Sequence, residues 1–384
     1  MRVLLDLLHP AHGHVFRPFV KEMTARGHEV RLCSRHKDVL VGLLDGWGLE
    51  HRVLTRQGRG RAGLALELAG RSARLLGEIR RFRPHVAAGL MGPCLALAAP
   101  LARVPAVILY DNETTPRLNA FAARRAAIWL SPRGYRLEHG PRHRRYAGYH
   151  ESAYLHPARF TPDAGPVRRA GLDPDRPYSL VRFVSWTSVH DGGESGFSAA
   201  GKREAVRRLS ALGPVRISSE ATLPADLEPL RLDAPVGDIH HLIAHAAIFV
   251  GESSTMASEA AILGTPAAFV SRSGRGVNDE QAERYGLVAP FHGDDAAARE
   301  RAALDWIDRT IADPARAARA AEGHARLLAD TIDVTGYLVA LFERWFGPER
   351  YPGVGRDPDP DRDPWSGPED PDDPKAHAGA RCAS

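Results

Sequence analysis

Three cysteines in 384 residues are too few to staple a fold. Cys33, Cys94 and Cys382 lie far apart, in no metal-ligand spacing, so a disulfide framework and a zinc site are both excluded and a reducing compartment is implied. A long apolar run is missing too. The greasiest stretch, residues 86–109, is broken by Gly89, Gly92, Pro93, Pro100, Arg103 and Pro105, and predicts no membrane span. The N-terminal MRVLLDLLHPAHGH has too short an apolar run for a signal peptide and reads as a strand, so a cytoplasmic location is expected. Nor is there a large charge excess. Lys and Arg number 51 against 47 Asp and Glu, a net charge of +4, which is not the profile of a dedicated nucleic-acid binder. The surplus is Arg and it is local: Arg56, Arg59, Arg61, Arg71, Arg74, Arg80, Arg81 and Arg83, then Arg142, Arg144 and Arg145. Such clusters read either as solvated helix faces or as a surface for an anionic substrate or acidic membrane, which leaves peripheral membrane contact open.

What is present is alternation. Short apolar runs at 2–8, 29–34, 51–54, 85–90, 106–110 and 127–131 read as strands, and amphipathic segments at 14–27, 36–47 and 63–83 read as helices between them. The pattern restarts with strands at 178–184, 214–219, 247–251 and 266–271 and helices at 199–212, 237–246 and 254–263; helices dominate from 278 to 347. Strand–helix alternation predicts parallel sheets covered on both faces. Pro, Gly, Arg and His crowd residues 132–177, which read as the connection between two domains. The last segment, 351–384, is acidic, Pro-rich and nearly free of aliphatics, and is expected to stay disordered. The expected domains are 1–160, 161–332, a helix at 333–350 that packs back on the first domain, and the tail.

Two doubly wound domains place their ligand sites at the carboxyl ends of strands, so loops that follow strands carry the candidates. After 247–251 comes GESSTMASEAAILGTP. Free N–H groups at a helix start attract phosphate, Ser253, Ser254 and Thr255 add small donors behind Gly251, and Glu259 lies about one turn on, where a carboxylate can accept from ribose hydroxyls. The same residues also suit a plain helix capped by Ser253 or Ser254. After the first strand comes HPAHGHVF, with His9, Gly13 and His14; Gly13 permits close backbone approach and His14 can act as acid, base or phosphate donor. After 106–110 comes YDNETTPR, where Asp111 and Glu113 serve either as bases or as a capped first turn, with Arg117 four residues beyond Glu113. After 178–184 comes VSWTSVHDGGESGF, placing Ser185, His190 and Asp191 toward the cleft, with glycines that suit an anion-binding loop. Asp238 reads as the N-cap of the helix at 237–246, and His240, His241 and His245 have helical spacing but no third metal ligand or accompanying glutamate; no metal is expected.

Small polar residues, then Ser-Glu-x-Ala, then Gly-x-Pro resemble the donor-nucleotide motif of glycosyltransferase-B enzymes, in particular the transferase that adds N-acetylglucosamine to lipid I, and are similar to the non-hydrolysing UDP-N-acetylglucosamine 2-epimerases. GHVFRP resembles the GHVFP of the lipid I transferase, and Glu113 with Arg117 repeats the spacing of the epimerases' EAGLR. Two departures stand out: HPAHG replaces the transferase's glycine-rich run, and His-Asp-Gly-Gly at 190–193 replaces the epimerases' His-Arg-Glu. Over residues 1–346 the motifs together look like the glycosyltransferase-B-like family named domain of unknown function 354. The resemblance implies the α/β GT-B fold: two facing, Rossmann-like, doubly wound domains with an interdomain cleft. It implies that Gly251, Ser253, Ser254, Thr255, Glu259 and Asp238 bind the nucleotide of a UDP-linked sugar, with His190 near the phosphates. His14, Asp111 and Glu113 are then the acid–base candidates, and His9, Gly13, Arg117, Ser185 and Asp191 line the cleft. The expected activity is metal-independent glycosyl transfer, needing no cofactor beyond the donor. The alternatives are a nucleotide-sugar epimerase and a non-catalytic nucleotide-sugar binder.

Overall fold

The computed structural model describes residues 1–58, 60–184, 195–219 and 222–347. Seven strands make the first sheet: β1 (Arg2–Leu7), β2 (Glu29–His36), β3 (His51–Arg56), β4 (Val86–Leu90), β5 (Ala106–Leu109), β6 (Ile128–Pro132) and β7 (His143–Tyr146). Their order is β3-β2-β1-β4-β5-β6-β7, parallel throughout. Five more, β8 (Ser179–Phe183), β9 (Val215–Ser219), β10 (Ile248–Gly251), β11 (Ala267–Val270) and β12 (Val288–Phe291), form a second parallel sheet in the order β12-β11-β10-β8-β9. Continuous apolar runs such as Val86–Leu90 are buried on both faces, as parallel strands between helix layers require.

Two strands depart from the sequence expectation. β7 lies inside the stretch read as a connection, and β12 inside the stretch read as helical. Both are four-residue edge strands. β7, HRRY, buries only His143 and Tyr146, so alternation over so short a run gives little signal against its Arg-rich surroundings.

One face of the first sheet packs against α1 (Pro10–Ala25) and α2 (Leu40–Gly46), the other against α3 (Gly60–Phe82) and α4 (Pro93–Leu101). Helix α1 starts at His9, whose Nδ1 accepts the Ala11 N–H, and stops at Gly27 with φ 78°. In the second sheet, α9 (Ile239–His245) and α10 (Ser254–Ile262) cover one face, and α8 (Ala199–Leu209) with α12 (Ala296–Ala312) the other. The last helix, α14 (Val334–Phe346), returns to the first sheet, where Leu338, Phe342 and Phe346 join Val3, Phe16 and Phe19 in one core. Among the described residues no helix is long and apolar enough to cross a membrane.

The Arg-rich face is also revised. Arg71 is 1% exposed and bonds to the buried Asp6 carboxylate, the Ser34 carbonyl at 3.0 Å and Thr55 Oγ1 at 3.1 Å. Arg74, Arg80, Arg81 and Arg83 are exposed; Arg59 and the 351–384 tail lie outside the described residues.

Candidate active site

Each sheet reverses its winding at one strand: β1 is flanked by β2 and β4, and β8 by β9 and β10. The crevice at such a point, beyond the carboxyl ends, is where open parallel sheets bind ligands. Helix α1 begins just past β1, and α10 just past β10.

At the second-domain point, Gly251 ends β10 so tightly that a Cβ would sit 2.8 Å from the Phe249 ring and 3.0 Å from Arg182 Cβ. Ser253 is the N-cap: its backbone is extended and its Oγ accepts the Met256 N–H at 3.3 Å. Ser254 Oγ donates to Asn278 Oδ1 at 2.5 Å, which ties the first turn to α11 (Gly276–Tyr285). Thr255 lines the cleft. Glu259 is 5% exposed, and its Oε1 accepts from Tyr154 Oη at 2.6 Å and lies 3.0 Å from His240 Nε2. Burial opposes its ionised form, but His240 and Tyr154 hold the carboxyl below its usual range.

On the first-domain side, His14 packs its ring against Trp47, Tyr154 and His240. Burial, with His240 beside it, lowers its pKa to about 4 against the pull of Glu259. It is therefore a neutral imidazole at pH 7 and a poor base. His12 is more buried still, and its Nδ1 accepts the Leu8 N–H at 3.1 Å. A cavity of about 230 Å³ opens beside these groups, lined among others by His9, His12, Lys37, Asp111, Glu151 and Thr255. Asp111 faces it because Asn112, not Asp111, caps the following turn by accepting the Thr114 N–H at 2.9 Å.

Several candidates sit elsewhere. Glu113 leaves the cavity for the domain seam, where Oε1 accepts the Arg136 N–H at 3.2 Å and burial raises its pKa. Arg117 is exposed on α5 (Pro116–Ala123). Gly13 faces Trp47, Leu40 and Leu44, so its missing side chain admits α2 and not a ligand. Asp238 holds the N-cap position of α9 but makes no capping bond; it pairs with Arg169 at 2.9 Å, because Arg169 lies alongside on α7 (Ala164–Arg169). The three histidines of α9 diverge: His240 meets Glu259, His241 Nδ1 accepts the Asp163 N–H at 3.0 Å, and His245 Nδ1 bonds the His241 carbonyl at 2.9 Å. Ser185, His190 and Asp191 lie outside the described residues.

Four residues escaped the sequence reading. Glu252 accepts both the Val184 N–H and the Phe197 N–H at 2.8 Å and so fixes the two flanks of the segment between them. Its signal was its place directly after β10. His150, Glu151 and Tyr154 come from AGYHESAY, inside the presumed connection. Glu151 is 4% exposed and accepts from Ser258 Oγ at 3.0 Å; Ser258 in turn accepts from Gln281 Nε2 at 2.9 Å.

No family model matches this chain, and no curated protein does. Among solved structures it is similar to a spinosyn rhamnosyltransferase, at 16% identity and a TM-score of 0.58 over 90% of this chain and 100% of that one. It is similar to a UDP-N-acetylglucosamine 2-epimerase at 12% identity and a TM-score of 0.63, over 90% and 96% of the two chains. The Neisseria meningitidis UDP-GlcNAc 2-epimerase bound to UDP-GlcNAc gives 11% identity and a TM-score of 0.59, over 89% and 99%. The chain has the GT-B fold. In the GT-B frame the first sheet and α1 face the second sheet and α10 across the cleft, with Tyr154 and Glu259 bonded between them.

Proposed function

We propose that this GT-B chain transfers a sugar from a nucleoside diphosphate, UDP-linked, to an acceptor hydroxyl without using a metal ion. One observation carries the reading: Thr255, in the first turn of α10, lines the same cavity as Asp111 and Glu151 of the first domain. A phosphate-type helix start and acid–base side chains thus meet in one space. In the reaction the bond from the anomeric carbon to the diphosphate oxygen breaks, and the electron pair leaves with UDP. The N–H groups at the start of α10 and the Thr255 hydroxyl stabilise that charge. The acceptor oxygen bonds the anomeric carbon and its proton passes to Asp111, which lines the cavity where His14 does not. The buried Glu259 is the ribose contact.

A thermal-shift and calorimetric screen against UDP, GDP, ADP and their sugar conjugates tests this. Binding of one nucleotide that is lost in Glu259→Ala is expected; a folded protein indifferent to all of them would sink the reading. Two carboxyl groups in one cavity also fit a 2-epimerase, as does the likeness to such enzymes. The readings part on stoichiometry: an epimerase turns over its nucleotide sugar alone, whereas a transferase needs a second substrate beyond slow hydrolysis.

A further inference from the structure

His150 is 3% exposed and lines the cavity, yet its Nε2 has no hydrogen-bond partner. Buried polar atoms are rarely left so, and a ligand is one way to satisfy them. Its Nδ1 lies 2.5 Å from Tyr146 Oη, a buried hydroxyl with no other partner among the described residues. The hydroxyl therefore donates to Nδ1, and a neutral ring carries its proton on Nε2. Burial lowers the pKa of His150, which keeps the ring neutral. Nε2 stands 4.0 Å from Asp111 Oδ1. That is too long for a hydrogen bond; an oxygen bridging the two at about 2.8 Å from each would subtend an angle of roughly 90°. Glu151, the next residue along the chain, closes the same end of the cavity.

We propose that Asp111, His150 and Glu151 form the subsite for the acceptor's reacting hydroxyl, with that oxygen held between His150 Nε2 and Asp111 Oδ1. The inference rests on the glycosyl-transfer reading and assigns two residues to it. Asp111 is the catalytic base and takes the hydroxyl proton as the oxygen bonds the anomeric carbon. His150 donates to the same oxygen and orients it. Glu151 acts as a positioning residue. Facing it are Asp111, His150, Tyr146 and, from the second domain, Ser258 and Glu259 with Tyr154 beside it; among the described residues no Lys or Arg pairs with it. Burial, then the charge of Asp111, pushes its carboxyl well above the usual range and favours the protonated form. A neutral Glu151 leaves Asp111 as the single negative charge beside the hydroxyl, and two unlike carboxyl groups are what acid–base work needs. Through Ser258 it also touches the helix that holds the donor.

Two measurements decide this. Infrared difference spectra of native protein and Glu151→Gln at pH 7 are expected to show the carbonyl stretch of a protonated carboxyl in the native protein only. In Asp111→Asn the pH at which that band vanishes should fall. A native protein without the band overturns the proposal whether or not any nucleotide sugar is turned over. The second measurement follows UDP release from UDP-N-acetylglucosamine with water as acceptor, across pH, alongside UDP affinity by calorimetry. Asp111→Asn is expected to slow release about 100-fold or more, and His150→Phe and Glu151→Gln about tenfold each. Glu151→Gln should also abolish the loss of rate at alkaline pH. UDP affinity should stay within about twofold in all three. Undiminished release in Asp111→Asn, or an unaltered alkaline limb in Glu151→Gln, overturns the subsite. Failure of the native protein to bind UDP would instead overturn the donor reading, and the infrared result then stands alone for the carboxyl pair.

Discussion

Tyr154 and Glu259 are joined across the domain seam by a 2.6 Å hydrogen bond, between a hydroxyl from α6 (Ser152–Leu155) and a carboxylate from the second turn of α10. His240 is the other group at the same oxygen. Tyr154→Phe keeps the ring against His14 and His240 but strips one donor from a buried charge. We expect a loss of about 1–3 kcal/mol, read from urea unfolding. An unfolding midpoint equal to the native one would mean that the bond contributes nothing.

Arg71 and Asp6 are both about 1% exposed, and each has an atom left unbonded, Arg71 Nε and Asp6 Oδ2. Removing one partner strands the other charge in the core, so Arg71→Met should cost about 3–5 kcal/mol. The double variant Asp6→Leu with Arg71→Met should recover most of it. A double-variant loss equal to the sum of the two single losses would show that the pair is not coupled.

At the seam, Gly276 begins α11 against the Gly134 carbonyl and Glu113 Oε1, and a Cβ there would run into both. Flanking it, Arg133 Nε bonds Glu280 Oε1 at 2.6 Å, and Arg136 bonds Asp279. Gly276→Ala should cost about 1–3 kcal/mol by overpacking. It should also enlarge the particle in small-angle scattering as the seam parts. An unchanged radius of gyration would mean that the seam stays closed.

His14 titrates near 4 in the folded protein, against an ordinary value of 6.5. The unfolded chain therefore binds the extra proton first, and the stability tied to neutral His14 is lost as pH falls from about 6.5 toward about 4. Between pH 7.5 and 5.5 this amounts to about 1 kcal/mol. His14→Phe should flatten the pH dependence of urea unfolding by that amount, other groups being common to both proteins. Parallel curves would contradict the assignment.

Most of the fold was legible because parallel strands buried on both faces, such as VAAGL, announce themselves as apolar runs. The edge strands β7 and β12 did not, being four residues long and half exposed in part. At the site, residues that follow a strong strand were easy to nominate: Asp111 after β5 and Thr255 after β10 both reach the cavity. Glu113 stood just two residues from Asp111, yet the chain turns at Asn112 and carries it to the seam. His150 and Glu151 follow β7, the strand the sequence hid, so the rule that would have found them had nothing to act on. Tyr154 and His240 meet Glu259 only through tertiary packing, which one-dimensional spacing does not encode.

The return of α14 has a consequence for synthesis. The chain leaves the first domain after α6, builds the whole second sheet, and comes back where the Ile332 N–H bonds the Ala147 carbonyl at 2.8 Å and Thr335 Oγ1 bonds the Ala153 carbonyl at 2.7 Å. The core around Phe16 and Phe19 is completed by α14, through Leu338, Phe342 and Phe346 among others. On the ribosome, then, the half made first is finished last: its apolar flank waits uncovered until the second domain has emerged, and the nascent chain must be kept from sticking there in the meantime.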